Sequence, residues 1–280
     1  MINRRTASRV VACAAALSVG VTVAWAQETP AAPAAAQSEG AELAKKLSNP
    51  VADLVSVPFQ FNWAQGVGPD EATRFILNVQ PVMPFSLNKD WNMITRVIVP
   101  FIGQPSLAAG DVPASGIGDV LASFFFSPTG GTITWGIGPV ISLPSTSEPT
   151  LGSGKWAAGP TAVVLKQTGA WTVGALWNQV WSFSGSEDRT DISQMFLQPF
   201  VAYTTKKAVT LSLNAEAVAN WEATDHQWTV PINMSIGKLS SFGPFPASFQ
   251  VGVGVYVAGP DGGPTWQLRS AIVILLPRRR

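Results

Sequence analysis

The sequence predicts an all-β fold, a closed antiparallel transmembrane β-barrel of about 12 strands, from three observations. Segments of roughly 10–13 residues alternate apolar and polar side chains with a period of two, as strands do when one face meets lipid. Only 12% of the 280 residues are charged, although 46% are hydrophobic. After residue 26, no stretch reaches the ~18 uninterrupted apolar residues that a spanning helix needs.

The N-terminus predicts export, followed by a short segment that leads to the barrel. Residues 1–26 have the pattern of a cleavable signal peptide, with three arginines, a short apolar run and an Ala-Trp-Ala cleavage site. An N-terminal membrane anchor is the alternative for this stretch. Residues 27–40 are rich in Ala and Pro and predict a disordered tether, whereas residues 41–53 predict a short helix. This helix either lies at the periplasmic opening of the barrel or folds into the lumen as a partial plug.

Residues 54–277 carry the predicted barrel, and 209–221 is its clearest strand. Every second residue there is apolar, from Val209 to Trp221, and the opposite face carries Asn214 and Glu216. An even number of strands is the rule for bacterial outer-membrane barrels. The other eleven alternating segments are 55–64, 74–83, 91–101, 119–126, 133–142, 156–167, 171–183, 192–204, 228–236, 249–257 and 266–274.

The connections predict short periplasmic turns that alternate with longer outer loops, which places both chain ends in the periplasm. Residues 239–247 depart from this alternation as an overlong periplasmic turn. A second conflict comes from prolines inside predicted strands, because proline cannot donate to a strand ladder. Bulges or kinks near the rim are expected at Pro81, Pro139, Pro160, Pro199 and Pro231.

Polar side chains inside the apolar runs predict the lining of the lumen. An arginine that faced lipid at mid-depth would cost ~2–4 kcal/mol, so these side chains are expected to point inward. Two interpretations remain open, a structural salt-bridge network and a constriction that selects solutes by charge. The lumen or constriction candidates are Arg74, Arg96, Asp119, Glu216, Arg269, Asn78, Asn178, Asn214 and Asn233.

Tryptophans near the ends of the predicted strands indicate the two membrane interfaces. The indole ring has an apolar body and an N–H that needs a partner, so it favours the boundary between lipid and water. A soluble β-sandwich, the alternative fold, would bury its tryptophans centrally. The predicted interface residues are Trp91, Trp171, Trp181, Trp221, Trp228 and Trp266.

Residue types that support catalysis or metal binding are scarce. The single cysteine, Cys13, lies within the predicted signal peptide, and His226 is the single histidine. The sequence therefore predicts no metal site, no bound cofactor and no enzymatic activity, although a membrane hydrolase that uses His226 as its base is an alternative. Without the three arginines of residues 1–26, the chain has 15 basic and 17 acidic residues, which argues against a nucleic-acid partner.

Characteristic phrases occur along nearly the whole chain after residue 41, among them LVSVPFQFNW (54–63), WGIGPVISLP (135–144) and FLQPFVAYTTK (196–206). Together they resemble the bacterial outer-membrane β-barrel proteins that are grouped with the MetA pathway of phenol degradation and labelled transporters. The resemblance implies a barrel in the outer membrane of a Gram-negative bacterium. It also suggests aromatic or hydrophobic compounds as solutes, and it brings no catalytic or binding motif.

The predicted function is that of a passive outer-membrane channel for small solutes. The expected partners are outer-membrane lipid, the outer-membrane assembly machinery and a small-molecule solute. The alternative is a structural or surface-interaction barrel whose lumen is occluded and which transports nothing.

Overall fold

The computed structural model describes residues 34–108 and 110–277, which form one helix and one large antiparallel sheet. The predicted signal peptide, residues 1–26, lies outside the described residues. The helix is α1 (Ala34–Leu47), and a short 3-10 helix covers Pro149–Leu151. The strands are β1 (Val55–Val67), β2 (Ala72–Val79), β3 (Val82–Ser86), β4 (Trp91–Gln104), β5 (Ala114–Ile117), β6 (Val120–Pro128), β7 (Ile133–Leu143), β8 (Lys155–Thr168), β9 (Trp171–Gly185), β10 (Ser193–Thr204), β11 (Val209–Ala215), β12 (Ala217–Asn220), β13 (Trp228–Phe242), β14 (Phe245–Ala258) and β15 (Trp266–Leu276).

The sheet closes on itself. Each strand pairs with its neighbours in the chain, and β15 returns to pair with β1 from Val55 opposite Leu276 to Gln65 opposite Trp266. Three wall strands are interrupted and consist of two segments each, β2 with β3, β5 with β6, and β11 with β12. The 15 segments therefore build a closed antiparallel barrel of 12 wall strands, as the alternation in the sequence predicts.

The two faces of the wall follow the pleat of each strand. On β14, Val251, Val253 and Val255 point outward and keep 59%, 49% and 53% of their surface exposed. Gln250, which directly precedes Val251, lines the lumen instead. Since side chains alternate along a strand, an apolar outer face requires the polar set to face inward.

The prolines within the strands coincide with gaps in the hydrogen-bonded ladder. Pro139 and Pro160 lie opposite each other on β7 and β8, and pairing is missing beside each of them, towards β6 and towards β9. Gly159 sits in the same gap, where an added Cβ would overlap the carbonyl oxygen of Gln179. Pro81, Pro199 and Pro231 lie at similar gaps or at a register shift. The register shift at Pro231 lies three residues after β13 begins, near the long-loop end. The gaps at the other four prolines lie in the middle of the strands, so the expectation of kinks near the rim is wrong for them.

The barrel has a short-turn end and a long-loop end. The short turns are 87–90, 129–132, 169–170, 205–208 and 243–244, and the opposite end carries 68–71, 105–113, 144–154, 186–192, 221–227 and 259–265. The prediction of an overlong turn at 239–247 is wrong, because β13 extends to Phe242 and β14 begins at Phe245. Gly243, with φ of 58°, allows the tight connection between Phe242 and Phe245.

Helix α1 differs from its predicted extent. It covers residues 34–47 rather than 41–53, so part of the predicted tether (27–40) is helical. The alanines of this stretch are the strongest helix formers, which explains the earlier start. Residues 48–54 form tight turns instead, with Asn49 Oδ1 accepting from the backbone N–H of Val51 at 2.9 Å. In the described residues, no helix is long and apolar enough to span a membrane.

Candidate functional site

The lumen of the barrel contains a segment of the chain itself. Residues 44–54, which we call the plug, lie at the short-turn end among inward-facing residues of β1, β4, β10, β14 and β15. Ala44 is buried, and Gln167 Nε2 donates to the carbonyl oxygen of Lys45 at 2.9 Å. Two small cavities of about 210 and 180 Å³ remain beside the plug. Two positions were predicted for this segment, at the periplasmic opening or inside the lumen. The structure therefore places it inside the lumen.

Val51 anchors the plug through apolar packing. It is 5% exposed and belongs to a cluster of buried side chains from the barrel wall. Burying a valine side chain is worth about 1.5–3 kcal/mol, so this contact favours the docked position. The wall residues of the cluster are Ile94, Phe125, Val163, Leu165 and Leu176.

The central polar feature of the lumen is an ion pair between Arg269 and Glu216. Arg269 on β15 donates from Nη1 and Nη2 to the two carboxylate oxygens of Glu216, each at 2.7 Å. Glu216 lies in the interruption between β11 and β12, where its backbone N–H donates a hydrogen bond to the carbonyl oxygen of Pro231. Arg269 Nε donates to Asn62 Oδ1 at 2.8 Å, and Gln198 Nε2 donates to Glu216 at 3.2 Å. This fork geometry is the strongest form of a charge-assisted hydrogen bond.

A chain of neutral groups extends from this region along the wall. Tyr256 donates from its hydroxyl to Gln267 Oε1 at 3.1 Å, and Gln267 Nε2 donates to Asn233 Oδ1 at 2.6 Å. Asn233 Nδ2 donates in turn to Asn214 Oδ1 at 3.0 Å. The predicted lumen residues Asn214 and Asn233 are thus in contact. Asn78 faces inward on β2 opposite Gln60.

Arg96 and Arg74 differ from Arg269 in their hydrogen-bond partners. Arg96 on β4 donates from Nη2 to Gln80 Oε1 at 2.6 Å, which is a neutral partner. Arg74 faces inward on β2 opposite Ala64, and its Nε is buried without a hydrogen-bond partner in the described residues. Among those residues, neither arginine forms an ion pair. Gln80 also lies beside a strand interruption, at the end of β2.

A larger cavity occupies the long-loop end of the lumen. Its volume is about 730 Å³, and it reaches from Arg96 to the loop residues 188–192. Both polar and apolar side chains line it, including Asn178, Leu121, Leu176 and Phe196. A space of this size fits a small-molecule ligand.

Most charged groups at the mouth of this cavity have partners within the loops. Asp119 Oδ2 accepts from both the backbone N–H and the hydroxyl of Ser153 at 2.6 Å. Lys155 Nζ lies 2.5 Å from Asp191 Oδ1, and this hydrogen bond, with a second from Ser182, lowers the pKa of Asp191 below its ordinary value. Arg189 donates to backbone carbonyls of the 144–154 loop. These contacts therefore hold the loops around the mouth to one another and to the strand ends.

Several lining residues were not selected from the sequence, although their parity in the strands could have found them. Alternation marks them as inward, but only the register between strands shows which ones meet Arg269, Glu216 or Arg96. These residues are Asn62, Gln80, Gln198, Tyr256 and Gln267.

The six predicted interface tryptophans lie on the outer surface near the two barrel ends. Trp91 and Trp171 begin β4 and β9 at the short-turn end, and the other four lie towards the long-loop end. Trp221 and Trp228 stack edge-to-face at 5.7 Å. Exposed fractions range from 37% to 52% for Trp91, Trp171, Trp181, Trp221, Trp228 and Trp266.

His226 lies in the 221–227 loop at the long-loop end, where its Nε2 is 3.7 Å from Asp261 Oδ1. Both side chains are more than half exposed, with fractions of 54% and 94%. Within residues 34–108 and 110–277, no group of three or more His, Cys, Asp or Glu side chains could hold a metal ion.

No protein-family model matches the chain, and no curated protein sequence matches it. Solved structures do resemble it. An outer membrane channel from Pseudomonas putida F1 is similar with a TM-score of 0.60 at 14% identity, over 80% of this chain and 94% of that chain. The NanC porin is similar with a TM-score of 0.53 at 9% identity, over 79% of this chain and 100% of that chain. At these identities the likeness shows the fold alone.

The prediction that the chain is not an enzyme requires a correction. The outer membrane phospholipase A from Escherichia coli also resembles it, with a TM-score of 0.48 at 12% identity over 86% of this chain and 98% of that chain. The exclusion, which rested on the scarcity of catalytic residue types, was wrong, because an enzyme occurs among the similar barrels. A likeness this low says nothing about the activity of the present chain. What the comparisons establish is that the chain has the closed antiparallel barrel fold of outer membrane channel proteins.

Proposed function

We propose that the protein is a passive outer-membrane channel for small solutes, and that the plug restricts its lumen. The observation that carries this proposal is the cavity of about 730 Å³, which is lined by both polar and apolar side chains inside a closed barrel. A purely structural barrel has no need of such a space, because side chains alone can fill a narrow lumen. The similar fold of outer membrane channels supports the same function.

Aromatic or hydrophobic solutes fit the lining of this cavity. Leu121, Leu176 and Phe196 supply an apolar surface, and Asn178 supplies an amide that can orient a polar substituent. The resemblance to barrels grouped with phenol degradation points to the same solute class.

The outer surface supports insertion in the outer membrane. The strands present Val, Ile and Leu side chains outward, and the six tryptophans would lie at the two lipid–water interfaces. Short turns at one end agree with a periplasmic position for that end and for both chain ends. Insertion would make outer-membrane lipid and the assembly machinery partners of the barrel.

The occluded barrel is less well supported as a function. The plug closes the short-turn end, where the hydrogen bond to Lys45 and the packing around Val51 hold it. Such a contact is compatible with displacement, whereas a permanent seal would be expected to engage the charged groups of the lumen.

Liposome swelling tests the proposal. Liposomes that contain the folded protein should take up small solutes such as benzyl alcohol and arabinose faster than protein-free liposomes. The Val51→Asp variant, which places a carboxylate in the apolar cluster, should swell faster still. Swelling equal to that of protein-free liposomes, for both the unmodified protein and this variant, would overturn the proposal.

A further inference from the structure

Arg96 stands at the boundary between two spaces in the lumen. Its side chain lines the cavity of about 730 Å³ at the long-loop end and also the cavity of about 210 Å³ beside the plug. A solute that travels along the barrel axis from one cavity to the other therefore passes its guanidinium. The interruption after β2 places Gln80 next to it.

Among the described residues, Arg96 has no carboxylate within salt-bridge distance. Its partner, Gln80, is neutral, and Glu216 already accepts from Arg269 with both of its oxygens. An arginine removed from bulk water without a counter-charge is costly, and a bound anion lowers that cost. Arg96 also keeps donors to spare, because a guanidinium has five N–H groups.

The same excess of positive charge extends over the middle of the lumen. Arg96 and Arg269 face inward there, and Arg74 faces inward closer to the long-loop end of β2. Glu216 is the carboxylate that pairs with Arg269, so these four described groups have a net charge of +2. At the mouth, by contrast, Asp119 and Asp191 are held by Ser153 and Lys155. A low-dielectric channel focuses such a positive field on the solute.

We propose that Arg96 and the amide of Gln80 form a binding site for a small anion, and that the lumen consequently prefers anionic solutes, carboxylates in particular. This inference rests on the proposed channel function and narrows its solute class. The guanidinium fork matches the two oxygens of a carboxylate, and the amide Nε2 of Gln80 offers a further donor. Apolar side chains of the cavity, Leu176 and Phe196 among them, would contact the body of an aromatic carboxylate.

The reversal potential of the folded protein in a planar bilayer under a potassium chloride gradient tests the preference. Chloride should permeate better than potassium in the unmodified protein. Arg96→Gln should lower the chloride-to-potassium permeability ratio by roughly threefold or more, because one full charge leaves the boundary between the two cavities. Arg96→Lys should keep most of the preference, since it retains the charge.

Lys166→Gln is the matched control, because it also removes one positive charge but from the exposed outer face of β8. Its permeability ratio should equal that of the unmodified protein. A conducting barrel that prefers potassium, or one in which Arg96→Gln and Lys166→Gln behave alike, would overturn the anion site while leaving the channel function intact.

A barrel that carries no current would overturn the proposed function but not the site. Chloride-35 NMR on the detergent-folded protein then decides the matter. Bound chloride broadens the resonance, and Arg96→Gln should reduce the broadening severalfold while Lys166→Gln leaves it unchanged. Equal broadening in all three proteins would show that Arg96 holds no anion.

Discussion

The surroundings of Arg269 and those of Arg96 show two ways in which one lumen holds a buried guanidinium. Arg269 has a carboxylate on its fork and an amide oxygen on its Nε, so its charge is neutralised within the wall. Arg96 has the neutral amide oxygen of Gln80 as its hydrogen-bond acceptor among the described residues. The first arrangement stabilises a fixed structure, whereas the second leaves charge available to a solute. With the proposed anion site, the salt-bridge network and the selective constriction would be adjacent regions rather than competing interpretations.

Breaking the ion pair between Arg269 and Glu216 should have the largest effect on stability. Arg269→Leu leaves the carboxylate of Glu216 buried without its counter-charge, which should lower the free energy of unfolding by about 3 kcal/mol. Urea unfolding in lipid vesicles, followed by tryptophan fluorescence, measures the loss. The double variant with Arg269→Gln and Glu216→Gln should recover most of it. A single variant as stable as the unmodified protein would show that the pair contributes nothing.

Undocking the plug should have the next largest effect, and the plug lines one of the two cavities that Arg96 reaches. Val51→Asp places a charge in the apolar cluster and should weaken docking by more than about 2 kcal/mol. Helix α1 should then become accessible to protease, which gel electrophoresis detects. Val51→Ala removes packing without adding charge, and it should leave α1 largely protected. Equal cleavage of the two variants would show that Val51 does not anchor the segment.

Removing the uncompensated guanidinium should have a smaller effect than removing the neutralised one. Arg96→Leu leaves no carboxylate behind, so the free energy of unfolding should change by less than about 1 kcal/mol in the same urea assay. A loss as large as that of Arg269→Leu would indicate that Arg96 has a counter-charge in the folded barrel, and the contrast between the two arginines would disappear.

The Lys155–Asp191 pair at the mouth is an exposed version of the Arg269 arrangement and should have the smallest effect. Its hydrogen bond lowers the pKa of Asp191, so the stabilisation is fully present above the ordinary aspartate pKa and is lost as the pH falls through the lowered value. The loop should therefore loosen only below about pH 4. Hydrogen exchange of the Ile192 amide measures this, and Asp191→Asn should exchange faster at neutral pH but equally fast in strong acid.

The alternation of side chains predicted which residues face the lumen, because strand parity alone sets the face. It could not predict which of them meet. Glu216 and Arg269 lie 53 residues apart in the chain and meet in the lumen. Pro81 marks the interruption beside Gln80, but no local pattern shows that Arg96 is the partner of Gln80. The same limit explains the misread turn, since Gly243 makes a tight connection where composition indicated a loop.

The helix that leads into the plug was predictable, but the position of the plug was not. Ala and Leu favour a helix wherever the segment lies, whereas docking depends on the cluster around Val51, which four wall strands build together. Sequence-distant packing of this kind has no local signature. For the same reason the boundary residue Arg96 could be placed inside the barrel from the sequence, but not at the junction of two cavities.

The plug runs directly into β1, and β1 is one half of the seam at which the cylinder closes. Val55 begins that seam opposite Leu276, only a few residues after the anchoring valine. A force on the plug is consequently transmitted first to the pairing of β1 with β15 around Val55 and Leu276. Displacement of the plug and weakening of the β1–β15 pairing are thus mechanically linked through residues 52–54.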